Sequence, residues 1–340
     1  MDYSTRAGRS ALALAVATAL ASTAAVAQAP QSAEDTAELE QIIVTGTRVQ
    51  DRTALDTAAP VDVVSADTLQ NVGLPELNQA LSTALPSFNF PRPGLTDGTD
   101  TIRPATLRGL APDQTLVLVN SKRRHAAALV NVNNSIGRGA SAVDLNTIPT
   151  AMVRSVEVLR DGASAQYGSD AIAGVINVRL RENRDGGDVS LTYGARSTEY
   201  TVPVAPAPAG ATWAAPSTVT LSPTDGETLT ASAWKGFSIG DAGFVTVAAE
   251  YRDQERTERG GYDSRQQYLR PTSTTFDARE QTINRFNAWY GEPELEQLSL
   301  FANGGYELGN GAKLYGWASF QDREALSAGF FRRPLQDTQT

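Results

Sequence analysis

The stretch that decides the fold is Val153–Val178, which reads VRSVEVLRDGASAQYGSDAIAGVINV. It covers most of two runs rich in valine, isoleucine and leucine, Val153–Leu159 and Ala173–Leu180, and the β-branched valine and isoleucine favour strands. Asp161-Gly162, which lies between the two runs, predicts a turn. The stretch therefore predicts two strands of a compact unit.

The residues before this stretch predict the rest of the same unit. Val61–Ser65 and Ala105–Leu110 are predicted strands, and Thr115–Asn120 is apolar on both faces, which predicts a central strand. Leu74–Leu85 has apolar residues at helical spacing, a proline in its first turn, and Pro86 at its end. The sequence thus predicts a domain that mixes helices and strands.

From residue 187 onward, the apolar residues recur with a period of two. Five segments alternate apolar with polar or small side chains, each over about the length of a membrane-spanning strand. These segments contain Leu191, Ala231, Val247, Leu300 and Ala318. This pattern predicts five antiparallel strands with one apolar face.

The connections between these strands alternate in length. Ile239–Gly243 and Gly309–Gly311 predict tight turns, whereas Ser197–Gly226 and Thr257–Gln297 are long. Short turns at one rim and long loops at the other are typical of an outer-membrane barrel. A soluble β-sandwich with two long insertions is the alternative that the strand pattern leaves open.

Composition excludes several functional classes. The chain has 29 Lys and Arg against 38 Asp and Glu, which gives a net charge of -9. This balance excludes binding of nucleic acid through a broad basic surface. Cysteine is absent and His125 is the single histidine, which argues against disulfides, thiol chemistry and zinc sites. No catalytic constellation is present, so we predict no enzyme activity, no metal and no cofactor.

The first residues predict export. Arg6 and Arg9 precede the apolar run Ala11–Leu20, and Ala25-Val26-Ala27 gives a small-residue cleavage pattern. This order predicts a secretory signal peptide over residues 1–27. A retained helical anchor is the alternative, although the run is short and alanine-rich for a membrane span.

Three stretches are similar to the plug domain of TonB-dependent outer-membrane receptors. Leu107–Leu110 followed by Thr115–Asn120 resembles the family's "RG…VLVLVDG" segment, and Val143–Pro149 resembles its "VDLNxIP" segment. Val153–Val178 resembles the motif that closes the plug. The order and spacing agree along most of Gln41–Leu180. The resemblance implies an α+β plug domain over residues 51–183, inside a transmembrane antiparallel β-barrel that begins at residue 187.

The resemblance also implies a docking segment on the polar leader, residues 28–50. The place of the TonB box is taken by Gln41, Ile42, Ile43, Val44, Thr45 and Gly46. An extended β-branched segment can add as a strand to the sheet edge of the periplasmic TonB protein. A linker or a first plug strand is the alternative.

Six further residues are candidate site residues. By resemblance, Arg108 and Arg160 lock the plug to barrel glutamates, and a local pair with Glu157 or Asp161 is the alternative. His125 and Arg124 are candidate substrate contacts within a basic loop that we expect to be solvated. Two tyrosines of the long loop are also candidates for substrate contact, namely Tyr262 and Tyr268.

The five strands predict an incomplete barrel. A plugged barrel of about 22 strands needs roughly 220 residues in strands, whereas 154 residues (340 minus 186) follow Gly186. We therefore expect the N-terminal part of a longer receptor in the outer membrane. Its expected function is TonB-dependent uptake of a scarce solute, such as a siderophore, vitamin or carbohydrate, into the periplasm.

The expected partners are TonB, outer-membrane lipid and an unidentified small solute. A soluble periplasmic β-sandwich protein or enzyme, and a truncated receptor that does not transport, are the alternatives. A transcription-controlling transducer would carry an extra domain before the TonB box. Only 13 residues (40 minus 27) lie between the predicted signal peptide and residue 41, which is too few for such a domain.

Overall fold

The computed structural model of this protein describes residues 42–43, 45, 52–53, 61–72, 74, 76–89, 92–132, 135–160 and 163–334. The predicted signal peptide, most of the predicted leader and the predicted turn at Asp161-Gly162 lie outside the described residues. The described part of the chain forms a mixed helix-and-strand domain as far as Leu180, followed by a sheet of long strands that begins at Gly187. We call the first unit the plug and the second the wall.

The plug is built from short elements. Its strands are β1 (Ile42–Ile43), β2 (Arg52–Thr53), β3 (Val61–Ser65), β4 (Phe88–Asn89), β5 (Thr106–Leu107), β6 (Thr115–Val119), β7 (Lys122–Arg123), β8 (Val153–Leu159) and β9 (Gly174–Leu180). Its α-helices are α1 (Ala66–Asn71), α2 (Leu77–Ala84) and α3 (Ser164–Tyr167). Single 3-10 turns span Thr99–Thr101, Pro112–Gln114, Leu145–Thr147, Thr150–Met152 and Ser169–Ala171.

A five-stranded sheet forms the centre of the plug, in the order β3-β8-β9-β6-β7. Strand β6 is parallel to β9, and the other neighbouring pairs are antiparallel. All five residues of β6 are buried, which confirms the prediction of an interior strand. Helix α2 contributes Leu77 and Leu81 to the core, where they join Val156 and Ile176 of the sheet. Phe301 of the wall belongs to the same core, so plug and wall share apolar packing.

Helix α2 begins later than its sequence pattern predicts. The prediction starts at Leu74, but the helix starts at Leu77 because the preceding Glu76 is its N-cap and is extended (φ -98°, ψ 126°). The helix ends as predicted, and the N–H of Leu85 bonds to the carbonyl of Leu81 (2.9 Å). Helix α1 is not predicted from the sequence. The Glu76 side chain makes no capping hydrogen bond to the helix.

The strand predicted over residues 105–110 is much shorter in the structure. Only Thr106–Leu107 pairs, and its partner is β4. The next two residues, Arg108 and Gly109, have φ of +54° and +73°, which lies in the left-handed region and cannot continue a strand. The chain therefore turns at Arg108, which fixes the position of a predicted site residue.

The wall confirms the five predicted long strands. They are β10 (Gly187–Ser197), β13 (Thr224–Ile239), β14 (Gly243–Gln254), β15 (Glu294–Glu307) and β16 (Lys313–Leu326). They pair antiparallel in the order β10-β13-β14-β15-β16, so the sheet is open over the described residues. The first long loop contains a hairpin of its own, β11 (Tyr200–Pro203) with β12 (Thr218–Leu221). The second long loop contains the 3-10 turn Ala278–Gln281.

The two faces of the wall differ in polarity. The face toward the plug carries buried polar side chains, among them Thr246, Glu250 and Arg252. The opposite face exposes large apolar side chains, such as Leu191 (72% exposed) and Leu314 (68%). A soluble sandwich would bury its apolar face, whereas a membrane barrel turns it to lipid. The β-sandwich alternative is therefore wrong, and the predicted barrel fold is confirmed.

The two rims of the wall also differ. Strands β13 and β14 are joined by residues 240–242, and β15 and β16 by residues 308–312. We call this end the short-turn rim, and the opposite end, which carries the connections 198–223 and 255–293, the long-loop rim. Within the described ranges, no helix is long and apolar enough to cross a membrane.

Candidate functional site

The plug contacts the wall near the long-loop rim through a buried group of charges around Glu76. Arg252 of β14 donates to Glu76 Oε1 (3.3 Å), and Arg103 of the plug donates to Glu76 Oε2 (3.3 Å). Arg92 approaches the same carboxylate (3.6 Å), and Glu250 of the wall pairs with Arg252 (3.4 Å). We call these five residues the Glu76 cluster. It joins a plug carboxylate to a wall arginine.

Two opposing effects set the charge state of Glu76. Burial raises its pKa, but the positive charges of Arg103, Arg252 and Arg92 outweigh burial and lower the pKa from 4.5 to about 2. The carboxylate is therefore ionised at neutral pH. It gives the buried arginines the counter-charge that their removal from water requires.

The charges continue from the Glu76 cluster toward the long-loop rim. Arg92 donates to Glu292 Oε2 (2.9 Å), a residue of the connection between β14 and β15. Arg196 of β10 pairs with the same carboxylate oxygen (2.6 Å). Alternating charges thus run from the plug interior to the first wall strand, and they tie three separate segments together.

A second plug–wall contact is formed by the VDLN segment that carries the family resemblance. Arg323 of β16 donates to Asp144 Oδ2 (2.8 Å) and to the carbonyl of Thr101 (2.9 Å). The other oxygen of Asp144 caps the following 3-10 turn through the N–H of Asn146 (3.0 Å). Gln297 of β15 donates to the carbonyl of Asn146 (3.1 Å). The segment is therefore a docking surface for the wall.

Arg124, a predicted substrate contact, lies at the plug–wall seam. It is buried, its guanidinium lies 5.1 Å from the ring centroid of Trp317 on β16, and it reaches Ser319 (3.4 Å). The expectation that the whole basic loop is solvated is wrong for this residue, because cation–π stacking on Trp317 and the wall hydroxyl of Ser319 hold it. This geometry makes Arg124 a plug–wall contact, and its contact with substrate stays a prediction.

His125 is exposed, as predicted for the basic loop. The positive charge of Arg124 lowers the pKa of His125, and partial burial lowers it further. The neutral imidazole is therefore favoured at neutral pH. Within the described residues, no group of three or more acidic or histidine side chains is arranged to hold a metal ion.

Arg108 and Arg160 lie on the plug. Arg160 pairs with Asp62 of the neighbouring strand β3 (2.9 Å), a partner not considered from sequence. Of the two local partners that were considered, Asp161 lies outside the described residues. Arg108 donates to the carbonyl of Ile172 (3.0 Å). Their pairing with barrel glutamates stays a prediction.

The long loop that carries Tyr262 and Tyr268 is compact. The Tyr262 hydroxyl donates to the carbonyl of Ala214 (3.2 Å), and the Tyr268 ring lies 4.1 Å below the guanidinium of Arg279. A buried ion pair that the sequence reasoning missed, between Arg285 and Glu280 (2.9 Å), lies in the same loop. Substrate contact by the two tyrosines stays a prediction.

Part of the predicted docking segment lies within the described residues. Ile42–Ile43 pairs antiparallel with Arg52–Thr53 as β1 and β2. Thr45 is buried, and its backbone N–H donates to Glu157 Oε2 on β8 (2.9 Å). The segment therefore lies against the plug sheet. The sequence identified the segment but not the contact of Thr45 with Glu157, which joins residues 112 positions apart.

The short-turn rim has its own polar contact. Asn120, in the turn between β6 and β7, donates through Nδ2 to Asn303 Oδ1 of β15 (3.3 Å). Asn303 in turn donates to the carbonyl of Arg181 (2.9 Å), next to the start of the wall. The turn after β6 thus contacts the wall close to its short-turn rim.

Glu76 and Arg252 were not predicted as site residues. The alternation of β14 places Glu250 and Arg252 on its polar face, which is the only sequence signal for the cluster. No local pattern pairs Glu76 with a residue 176 positions away. A search for charged residues on the polar faces of the wall strands would have found Arg252 and Glu250 but not Glu76.

An α+β domain packed on the polar face of an open, lipid-facing antiparallel sheet defines a plugged outer-membrane receptor. Residues 53–175 match the family model of the TonB-dependent receptor plug domain. The chain is 30% identical over 161 residues to the vitamin B12 transporter BtuB of Vibrio cholerae, a match that covers 46% of this chain and 23% of the transporter. Residues 53–175 thus match this plug domain, and the five long strands form part of an antiparallel barrel sheet beside it.

Solved structures agree with this fold. The ferric enterobactin receptor PfeA of Pseudomonas aeruginosa, in complex with enterobactin, aligns with a TM-score of 0.51 at 17% identity, covering 78% of this chain and 33% of that receptor. A second structure of the same receptor aligns with a TM-score of 0.50 at 16% identity, covering 79% and 34%. This chain thus spans about a quarter to a third of the length of these relatives.

The comparisons confirm two further predictions. The relatives are a transporter and receptors rather than enzymes, in agreement with the prediction that the chain is not an enzyme. The chain belongs in the outer membrane, where the apolar face of the wall meets lipid.

Proposed function

We propose that this chain is part of a receptor that takes up a scarce solute across the outer membrane by TonB-driven rearrangement of the plug. The observation that carries the proposal is a plug held in the wall by polar contacts at both rims, with a strand-forming segment on it. Polar and ionic contacts can exchange partners with water as the plug moves, whereas a fully apolar seam would resist opening. The transport step needs no bond chemistry.

The proposed partner is TonB, docking on residues 41–46. Short turns of outer-membrane barrels face the periplasm and long loops face the exterior, so the short-turn rim is the periplasmic one. The turn at Asn120 lies near that rim. Ser121, which follows Asn120, donates its N–H to Asn177 Oδ1 (2.9 Å), and Asn177 also contacts Thr45 of the docking segment. These contacts favour a docking segment on the periplasmic side, where an added strand would meet TonB.

The proposed solute enters from the long-loop rim. A siderophore, a vitamin or a carbohydrate is the proposed class, and the vitamin B12 transporter and enterobactin receptor among the relatives support the first two. The proposed solute contacts in the described part of the chain are His125, Arg124, Tyr262 and Tyr268. The proposed layout of the chain has four parts: a signal peptide (residues 1–27), a leader (28–50), the plug (51–183) and the start of the barrel (187–340).

A cysteine at position 43 tests TonB docking, since the chain has no cysteine of its own. We expect Ile43→Cys to cross-link to TonB carrying a cysteine in its docking strand, in cells that produce both proteins. Ile43→Pro should abolish both docking and uptake, because proline removes a ladder donor and fixes the backbone. The control is Val132→Pro, at an exposed loop residue of the plug. Uptake that survives Ile43→Pro would contradict the docking role.

A further inference from the structure

The contact between Thr45 and the plug is centred on a buried carboxylate. Glu157, on β8, is only 2% exposed, and Thr45 and Asn177 around it are also buried. The Thr45 N–H donates to Glu157 Oε2 (2.9 Å), and the Thr45 hydroxyl donates to the same oxygen. Asn177 of β9 donates through Nδ2 to the Thr45 hydroxyl oxygen (2.9 Å) and approaches Glu157 Oε2 (3.4 Å). Thr45 therefore occupies a polar site in the plug sheet formed by Glu157 and Asn177, which we call the socket.

The socket holds Thr45 because a buried carboxylate depends on its hydrogen bonds. An ionised carboxylate removed from water is costly unless donors surround it, and bonds to a charged acceptor are stronger than neutral ones. Thr45 supplies two of these donors to one Glu157 oxygen. Pulling Thr45 away removes two hydrogen bonds to that oxygen, so the contact resists release of the segment.

The backbone next to Thr45 is engaged as well. Ile42 and Ile43 pair with Thr53 and Arg52 through β1 and β2. A partner strand that adds to this edge must displace β2. A partner strand that extends through Thr45 must also break the contact with Glu157. Docking of a partner strand therefore competes with the β1–β2 pairing and with the Thr45–Glu157 contact for the same residues.

The socket is also connected to the wall. The Ser121 N–H donates to Asn177 Oδ1 (2.9 Å), and the preceding residue, Asn120, contacts Asn303 of the wall. Asn120 and Ser121 both have positive φ (+46° and +64°), a turn conformation that is uncommon for residues other than glycine. A shift of the turn relative to the wall would pull on the amide that orients Thr45.

We propose that Glu157 and Asn177 form a latch that holds Thr45 and thereby keeps the docking segment from its strand-adding partner until the turn at Asn120 moves. The proposal rests on the proposed docking function of residues 41–46. Glu157 and Asn177 are positioning residues, since they act through Thr45. The latch makes access to the segment depend on the fit of the plug in the wall.

The rate at which a cysteine at position 43 is labelled measures the latch directly. The experiment uses the full chain carrying Ile43→Cys, in isolated outer membranes without TonB, labelled by a water-soluble maleimide. Glu157→Gln keeps the shape of the side chain but loses the charge, and Thr45→Val keeps the shape but loses the hydroxyl. We expect both to raise the labelling rate about tenfold or more, the scale of one hydrogen bond to a charged group.

The matched control is Asp62→Asn, which neutralises a partly exposed carboxylate on β3, the strand beside β8, and should leave the labelling rate unchanged. Protease resistance of the plug shows that each variant folds, and Thr45→Val keeps the test valid should Glu157→Gln fail to fold. Labelling that is equally fast in the parent and both variants, or raised as much by Asp62→Asn, overturns the latch.

Cross-linking separates failure of the latch from failure of the proposed function. If Ile43→Cys cross-links to TonB while labelling is unaffected by Thr45→Val and Glu157→Gln, docking stands and the latch is wrong. If labelling accelerates in both variants while no chain cross-links to TonB, the latch stands and the docking function is wrong. The two readouts use the same cysteine, so they compare the same site.

Discussion

Replacing Glu76 with alanine is expected to lower the free energy of unfolding by about 3–5 kcal/mol, the usual cost of removing one partner from a buried ion pair. The loss takes away the carboxylate that Arg103 and Arg252 share, while both guanidinium groups stay buried. Urea unfolding in detergent micelles, followed by tryptophan fluorescence, measures the change. Trp234 and Trp317 report on the seam because plug arginines stack on both rings.

The control for this variant is Asp170→Ala. Asp170 pairs with Arg123 on the plug surface, where both side chains are about half exposed, and exposed pairs contribute little. We expect its unfolding curve to overlay that of the parent protein. A Glu76→Ala variant that is as stable as Asp170→Ala would show that the Glu76 cluster does not hold the plug.

Loss of the Glu76 carboxylate also changes the response of stability to acid. The pKa of Glu76 lies at about 2 in the folded protein and at 4.5 when unperturbed, so its stabilisation is complete above pH 4.5 and is lost as the pH falls toward 2. A difference of this size corresponds to roughly 3 kcal/mol. Glu76→Gln should therefore flatten the loss of stability between pH 4.5 and 2, and an unchanged acid profile would contradict the assignment.

Replacing Gly174 with alanine is expected to cost at least about 3 kcal/mol, because a strained backbone conformation and a steric clash act together. Gly174 has φ +142°, and an added Cβ would lie 2.4 Å from the carbonyl oxygen of Leu159 and 2.9 Å from Cδ1 of Leu107. Both neighbours belong to the plug core, and the nearer atom is backbone. The plug sheet would have to open between β8 and β9.

Gly168→Ala is the matched control for this substitution. Gly168 also has positive φ (+94°), but an added Cβ would meet nothing within 4 Å. It should cost only the conformational penalty of about 1–3 kcal/mol for a residue held in this glycine region (φ +94°, ψ -173°). Urea unfolding of the two variants separates the effect of the steric clash from that of backbone strain alone. Equal losses of unfolding free energy would contradict the close packing around Gly174.

The wall was predictable because its chemistry is local and periodic. Each strand carries its own alternation, as Val245, Val247 and Ala249 against Thr246, Ala248 and Glu250 show, and each short turn carries its glycines. The plug strands β3, β6, β8 and β9 were predictable for a similar reason, since β-branched runs indicate strands wherever they occur. The period of two gives the strands and their faces but not what covers each face.

The contacts between plug and wall were not predictable, because they join residues far apart in the sequence. The prediction placed arginines on the plug and glutamates on the wall, whereas Glu76 and Asp144 of the plug bind Arg252 and Arg323 of the wall. A single sequence shows which side chains are charged but not which ones meet. The contact between Thr45 and Glu157 was not predictable for the same reason, since the two residues are 112 positions apart.

The most direct test of the account is whether the turn after β6 touches the wall at its short-turn rim. We expect the double variant Asn120→Cys/Asn303→Cys to be joined by a short bifunctional thiol reagent in isolated outer membranes, because Asn120 Nδ2 lies 3.3 Å from Asn303 Oδ1. Asn120→Cys/Ala302→Cys should not be joined, since the neighbouring residue of β15 points to the opposite, lipid-facing side. Efficient joining of the control pair, or none of the Asn120–Asn303 pair, would contradict the seating of the plug in the wall.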